Sequence, residues 1–161
     1  TTDDDTITNS LYTLSFDKTT GDFTTLTACT ASNTCETTPF TIDFHQYHSM
    51  QNSSQNSGAY IFRPDNETFD KTLPYRGDLL HAEVYKGSNI EQVTFDYSNI
   101  KVKARLFKQS GLPLELEVLV KPIDVSDGNG HEIVAVYGSD IENDKTFYTD
   151  SCGLYMQKRV V

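Results

Sequence analysis

The residues able to do chemistry in this 161-residue chain are four histidines, three cysteines and 23 carboxylates, set against only 13 lysines and arginines. His45 and His48 form an H-x-x-H that invites a metal reading. The residues around them alternate as a strand does, however, and positions three apart on a strand face opposite ways, so the two imidazoles diverge. Surface or partly packed histidines are the better expectation. His81 and His131 stand alone and carry no pattern. Asp124-x-x-Asp127-Gly128-Asn129-Gly130 hints at a calcium loop, but it lacks the alternating oxygen ligands and the distal glutamate of an EF-hand. A tight hairpin turn, for which Asn-Gly is suited, explains it better. There is no G-x-S-x-G elbow and no P-loop glycine pattern. Carboxylates are so plentiful that inspection does not single out a catalytic acidic pair.

The cysteines bear on compartment. Cys29 and Cys35 lie six apart in a polar stretch, where a disulfide closing a hairpin-like loop is feasible and two free thiols are the alternative. Cys152 is left over, either buried or bonded to a second chain. Asn52-Ser-Ser and Asn66-Glu-Thr are sequons, so Asn52 and Asn66 are the candidate glycosylation sites and point to the secretory route.

The elements that must position these residues are strands. Period-two alternation recurs and helical periodicity is almost absent. Residues 11–16 and 22–29 flank a turn at Lys18–Gly21. Phe40, Ile42 and Phe44 alternate with polar residues. Ile100, Val102, Ala104 and Leu106 alternate with Lys101, Lys103 and Arg105, and Leu114, Leu116, Val118 and Val120 repeat the device. Gly111 and Pro113 separate those two runs, which predicts an antiparallel pair. Segments 58–63, 79–85, 90–96, 132–137 and 146–149 bring the expected total to about ten strands. Such spacing predicts an all-β antiparallel sandwich with one solvated face per sheet.

The net charge of −10 argues against nucleic acid, whose binding needs a basic patch, and against an anionic membrane surface. No apolar run approaches the ~20 residues that span a bilayer. The start is polar and acidic, unlike a signal peptide, and the run 157–161 stops without a turn or cap. The expectation is a single β-sandwich domain over residues 1–161, or a fragment of a larger processed protein.

Several motifs carry a resemblance. Ser57-Gly58-Ala59-Tyr60-Ile61-Phe62-Arg63-Pro64 resembles the S-G-A-Y-[IL]-F-x-P segment of glycoside hydrolase family 38, the class II α-mannosidases, with arginine in the lysosomal-type spelling. Phe147-Tyr148-Thr149-Asp150-Ser151-Cys152-Gly153, with Met156 to Arg159 after it, resembles F-Y-T-D-S-N-G and its M-x-x-R continuation. Residues 114–123 are similar to the family's L-E-x-E strand, residues 127–133 to its D-G-x-G-K-E-[IV], and Phe44–Tyr47 to an aromatic-rich strand before a polar loop. The order and spacing agree over nearly the whole chain. Cys152, Leu154, Tyr155, His131 and Val120-Lys121 depart from the pattern, so a polar role at Cys152 or Leu154 is not carried over.

The resemblance implies a galactose-mutarotase-like supersandwich belonging to the C-terminal half of a retaining lysosomal-type enzyme. In such enzymes an Asp nucleophile, an Asp acid/base and a zinc ion holding two sugar hydroxyls act on terminal α-D-mannose of N-glycans. The nucleophile and zinc ligands are expected in a catalytic α/β domain outside this chain, which alone is expected to be inactive. Tyr60 is the expected substrate contact, offering a hydroxyl and an apolar ring edge to the sugar; the alternative is a core tyrosine on a central strand. Tyr148 and Asp150 either support that pocket or serve structure. The implied partners are the other chains of a processed α-mannosidase and mannose-containing glycans, in a lysosomal or secreted setting. The competing function is a stand-alone carbohydrate-binding or structural β-sandwich module, against which the absence of Trp counts.

Overall fold

The computed structural model describes residues 5–50, 57, 60–65, 73–109, 112–150 and 152–160. Among them the chain forms thirteen strands: β1 (Thr6–Thr8), β2 (Tyr12–Asp17), β3 (Asp22–Cys29), β4 (Cys35–Pro39), β5 (Thr41–His48), β6 (Leu73–Pro74), β7 (Leu79–Lys86), β8 (Ile90–Tyr97), β9 (Ile100–Phe107), β10 (Glu115–Val120), β11 (His131–Gly138), β12 (Thr146–Asp150) and β13 (Met156–Val160). Every strand pairing is antiparallel. Two four-stranded meanders, β1-β2-β3-β4 and β10-β9-β8-β7, accompany a three-stranded sheet, β11-β5-β6, and the β12–β13 pair. The all-β antiparallel sandwich expected from the sequence is what the chain forms.

The alternation along β9 explains why the two meanders pack. Ile100, Val102, Ala104 and Leu106 are buried while Lys101, Lys103 and Arg105 stay half-exposed. On the facing meander Ile7, Leu14, Phe16 and Phe23 are buried. Phe95 of β8 sits at the junction, its ring edge-on to Phe16 (5.7 Å between centroids) and to Phe23 (5.5 Å). Burying a ring of this size contributes about 1.5–3 kcal/mol. The outer faces of β9 and β10 are matched by charge: Arg105 bonds to Glu115 (2.9 Å) and to Glu117, and Lys103 to Glu117 (3.2 Å). Edge strand β1 is tied across the sandwich by Glu91, a buried carboxylate. Its Oε2 accepts from the Thr8 amide at 2.7 Å and its Oε1 meets Lys108 Nζ at 2.5 Å.

The Lys18–Gly21 turn joins β2 and β3 as the spacing predicts. Gly21 has φ +79°, and a Cβ there would stand 2.4 Å from the Tyr97 hydroxyl, so both conformation and space require glycine. Cys29 and Cys35 face each other in the β3–β4 register and form a disulfide, their Cα atoms 4.0 Å apart.

Two expectations are corrected. Residues 58–63 were expected as a strand, but Tyr60 to Arg63 join no sheet; Gly58 and Ala59 lie outside the described residues. The reason is the Ser57 side chain, which bonds both backbone groups of Arg63 and folds the segment on itself. Residues 124–130 are likewise not a hairpin turn. They cross from β10 in one sheet to β11 in another, and the positive φ falls on Gly128 (+76°) rather than on Asn129 or Gly130.

Candidate functional site

The site builds at the end of β5, where the chain leaves the sheet. After β5, Ser49 makes an isolated antiparallel bridge with Pro64, the Met50 amide donates to Arg63 O at 2.7 Å, and the Asp65 amide donates to His48 O at 2.9 Å. Segment 60–65 is thereby laid back along the strand that precedes it. Ser57 Oγ donates to Arg63 O and accepts from the Arg63 amide, both at 2.7 Å. The Phe62 ring stands 6.5 Å from that of Tyr47 on β5, edge to face. Tyr60 lies at the tip of this construction and is 100% exposed. It is therefore neither on a central strand nor in the core, and its ring and hydroxyl are wholly available.

On the other side of the strand end, the β5–β11 register places His48 directly opposite His131. Their rings meet edge to face with centroids 4.7 Å apart. His131 Nε2 lies 3.2 Å from Asp127 Oδ1 in the loop before β11. Gln46 Nε2 reaches His48 Nε2 (3.1 Å) and His131 Nδ1 (3.0 Å). Asp127 is oriented in turn by Asn129, whose backbone amide donates to Oδ1 (2.9 Å) and whose side chain donates to Oδ2 (3.0 Å). Those bonds from Asn129, joined by His131, hold the Asp127 carboxyl below the usual carboxylate range. Ser49 fastens the loop to β5: its amide donates to Gly130 O at 2.8 Å and its Oγ accepts from the Gly130 amide at 3.1 Å. A cavity of about 300 Å³ opens beside the cluster, lined by His48, Ser49, Asp65 and Asn129.

A family model, "Glycosyl hydrolases family 38 C-terminal domain", matches residues 7–161. The chain belongs to this family. A lysosomal alpha-mannosidase of Dictyostelium discoideum is 32% identical over 152 residues, 94% of this chain and 15% of its own length. A probable alpha-mannosidase of Arabidopsis thaliana is 34% identical across 71% of this chain and 12% of its own. The lysosomal alpha-mannosidase of Bos taurus is 35% identical across 66% and 10%. The family 38 chain thus spans about a seventh or less of the curated relatives it matches.

The remaining expected residues of this family 38 chain are scattered. Asn52 and Asn66 lie outside the described residues. The Cys29–Cys35 disulfide sits on β3 and β4, in a different sheet from the β5 end. Tyr148 on β12 is exposed, and Asp150 Oδ2 accepts from the Gly153 amide at 2.7 Å, a turn-closing bond. Cys152 is an exposed free thiol with φ 54°, not a buried one. H-x-x-H divergence holds, since His45 pairs with Val134 while His48 pairs with His131. His131 is the residue that sequence reasoning passed over; its one local signal is the D-x-x-x-H spacing from Asp127, which means nothing until the β5–β11 register is known.

Proposed function

We propose that this chain is the β-sandwich part of a retaining, lysosomal-type α-mannosidase that removes terminal α-D-mannose from N-glycans, and that it completes the sugar pocket through Tyr60. The nucleophile, the acid/base and the zinc ligands are assigned to portions of the enzyme outside this chain, so the chain alone does not hydrolyse mannosides. Zinc bound there would hold sugar hydroxyls. This chain's share is recognition: the Tyr60 hydroxyl donates to or accepts from a mannose hydroxyl, and its ring covers an apolar sugar edge. Its partners are the rest of the α-mannosidase and mannose-containing glycans, in the lysosome or elsewhere along the secretory route. No helix among the described residues is long and apolar enough to cross a membrane.

The observation that carries the reading is the full exposure of Tyr60 on a segment pinned from both ends by Ser57, Arg63 and the Ser49–Pro64 bridge. A fully exposed aromatic on a braced turn is poised for a ligand rather than for a core. The test is kinetic, in the complete enzyme. Tyr60→Phe removes one hydrogen bond of about 1 kcal/mol, so kcat/KM for an α-mannoside falls about fivefold. Tyr60→Ala removes the ring as well and lowers it at least tenfold, with little change in melting temperature because the side chain is fully exposed on this chain. Wild-type kcat/KM in both variants would refute a role for Tyr60 in the pocket.

A further inference from the structure

We propose that His48, Asp127 and His131 form a binding site for a divalent transition-metal ion, with zinc the best chemical match. One ligand atom from each of the three residues lies within 4.8 Å of the others. His131 Nε2 and Asp127 Oδ1 are 3.2 Å apart. Two ligands at the usual ~2.0–2.1 Å from a tetrahedral zinc stand about 3.3 Å from each other, so this edge of the polyhedron is already formed. The donor set is two imidazoles and one carboxylate. Calcium and magnesium take oxygen shells, and soft copper(I) takes sulfur, so this set suits the divalent ions from iron to zinc, and zinc, free of redox chemistry and of a geometric preference, is the match we test.

The surroundings are those of a ligating group rather than of three surface side chains. The His131 side chain is only 4% exposed, and the two histidines face each other by backbone register, which fixes their separation. Asn129 holds both Asp127 oxygens. Gln46 spans the two imidazoles at 3.0 and 3.1 Å. A metal-bound imidazole donates its remaining N–H to a neighbouring acceptor, and rotating the Gln46 carboxamide presents Oε1 to His131 Nδ1–H for that purpose. Binding at Nε2 takes the other tautomer of neutral His131: the Nε2 proton leaves to solvent, Nδ1 takes one up from solvent, and the ion takes the lone pair facing Asp127 with no net proton released. Three protein ligands leave a fourth position, and the adjoining cavity of about 300 Å³ gives water access to it.

The experiment uses the complete polypeptide that carries this sequence, stripped with chelator and dialysed against zinc chloride, with zinc per polypeptide counted by elemental mass spectrometry. Any zinc held elsewhere is common to wild type and variants and cancels in the difference. Asp127→Asn, on an exposed loop, keeps one acceptor oxygen for the Asn129 backbone amide and gives up the Asn129 side-chain bond; folded, it is expected to hold one zinc fewer than wild type, as is His48→Gln. Gln46→Ala keeps all three ligands and is expected to bind that zinc about 10–100-fold more weakly. Cobalt substitution is expected to give wild type a visible absorption component that Asp127→Asn lacks. Equal zinc content and identical cobalt spectra in wild type and a folded Asp127→Asn would overturn the proposal, leaving the cluster as a hydrogen-bonded clasp between loop and strand.

Discussion

At the scale of single residues, Tyr97 shows how one side chain answers to several neighbours. Its ring is buried on β8, its hydroxyl donates to Gly21 O at 2.6 Å, and the Arg76 guanidinium lies 4.7 Å above the ring. Burial disfavours the phenolate and, although Arg76 opposes it, pushes the phenol from 10.0 up to about 12. Because the folded state holds this proton more tightly than the unfolded chain, the stability it brings is complete below pH 10 and is lost as pH rises towards 12. Tyr97→Phe leaves the Gly21 carbonyl without its partner and is expected to cost about 1–3 kcal/mol near neutrality. Its stability should then fall less steeply than wild type between pH 10 and 12. Urea denaturation across that range is the check, and parallel curves for the two proteins would contradict the assignment. Little of this was legible beforehand. The strand read over residues 90–96 stops one short of Tyr97, and its partners lie some twenty and more than seventy residues away in the chain. His131 is the sharper case: nothing beside it in the sequence announces that β11 will set it against His48.

At the scale of elements, legibility followed burial. Strand β9 declares itself because every second residue is buried, and the alternation is the imprint of that face; β2 carries the same signal through Leu14 and Phe16, and β3 through Phe23 alone. Strand β4, Cys-Glu-Thr-Thr-Pro, does not, since it is an edge strand with mostly exposed residues. Its pairing with β3 and the Cys29–Cys35 bond define it. Segment 58–63 failed in the opposite sense: Tyr, Ile and Phe in a row look like a strand, but Ser57 Oγ takes the Arg63 amide and shares its carbonyl with Met50, so pairing goes no further than the single Ser49–Pro64 bridge. The disulfide closes a short loop, for which chain entropy allows about 2 kcal/mol. Cys35→Ser is expected to lower unfolding free energy by about that amount and to speed amide exchange in β4 ahead of the β8–β9 core. Unchanged exchange in β4 would show that pairing alone holds the edge.

At the scale of the whole molecule, the sandwich is completed by Phe16, Phe23 and Phe95 between its meanders, yet its last pair, β12–β13, presents Phe147, Tyr148, Tyr155, Met156 and Val160 to solvent. Two strands alone are marginal in water, so this pair fits a molecule whose further parts cover it. The family match over residues 7–161 and the 15% or less of each relative's length that the chain spans agree with that picture. The direct measurement is to capture the native protein from its source with an antibody raised against this chain and to assay the captured material for α-mannoside hydrolysis. Activity retained with the chain and depleted from the supernatant in proportion is the expected result. Full capture of the chain with the α-mannosidase activity left behind would contradict it.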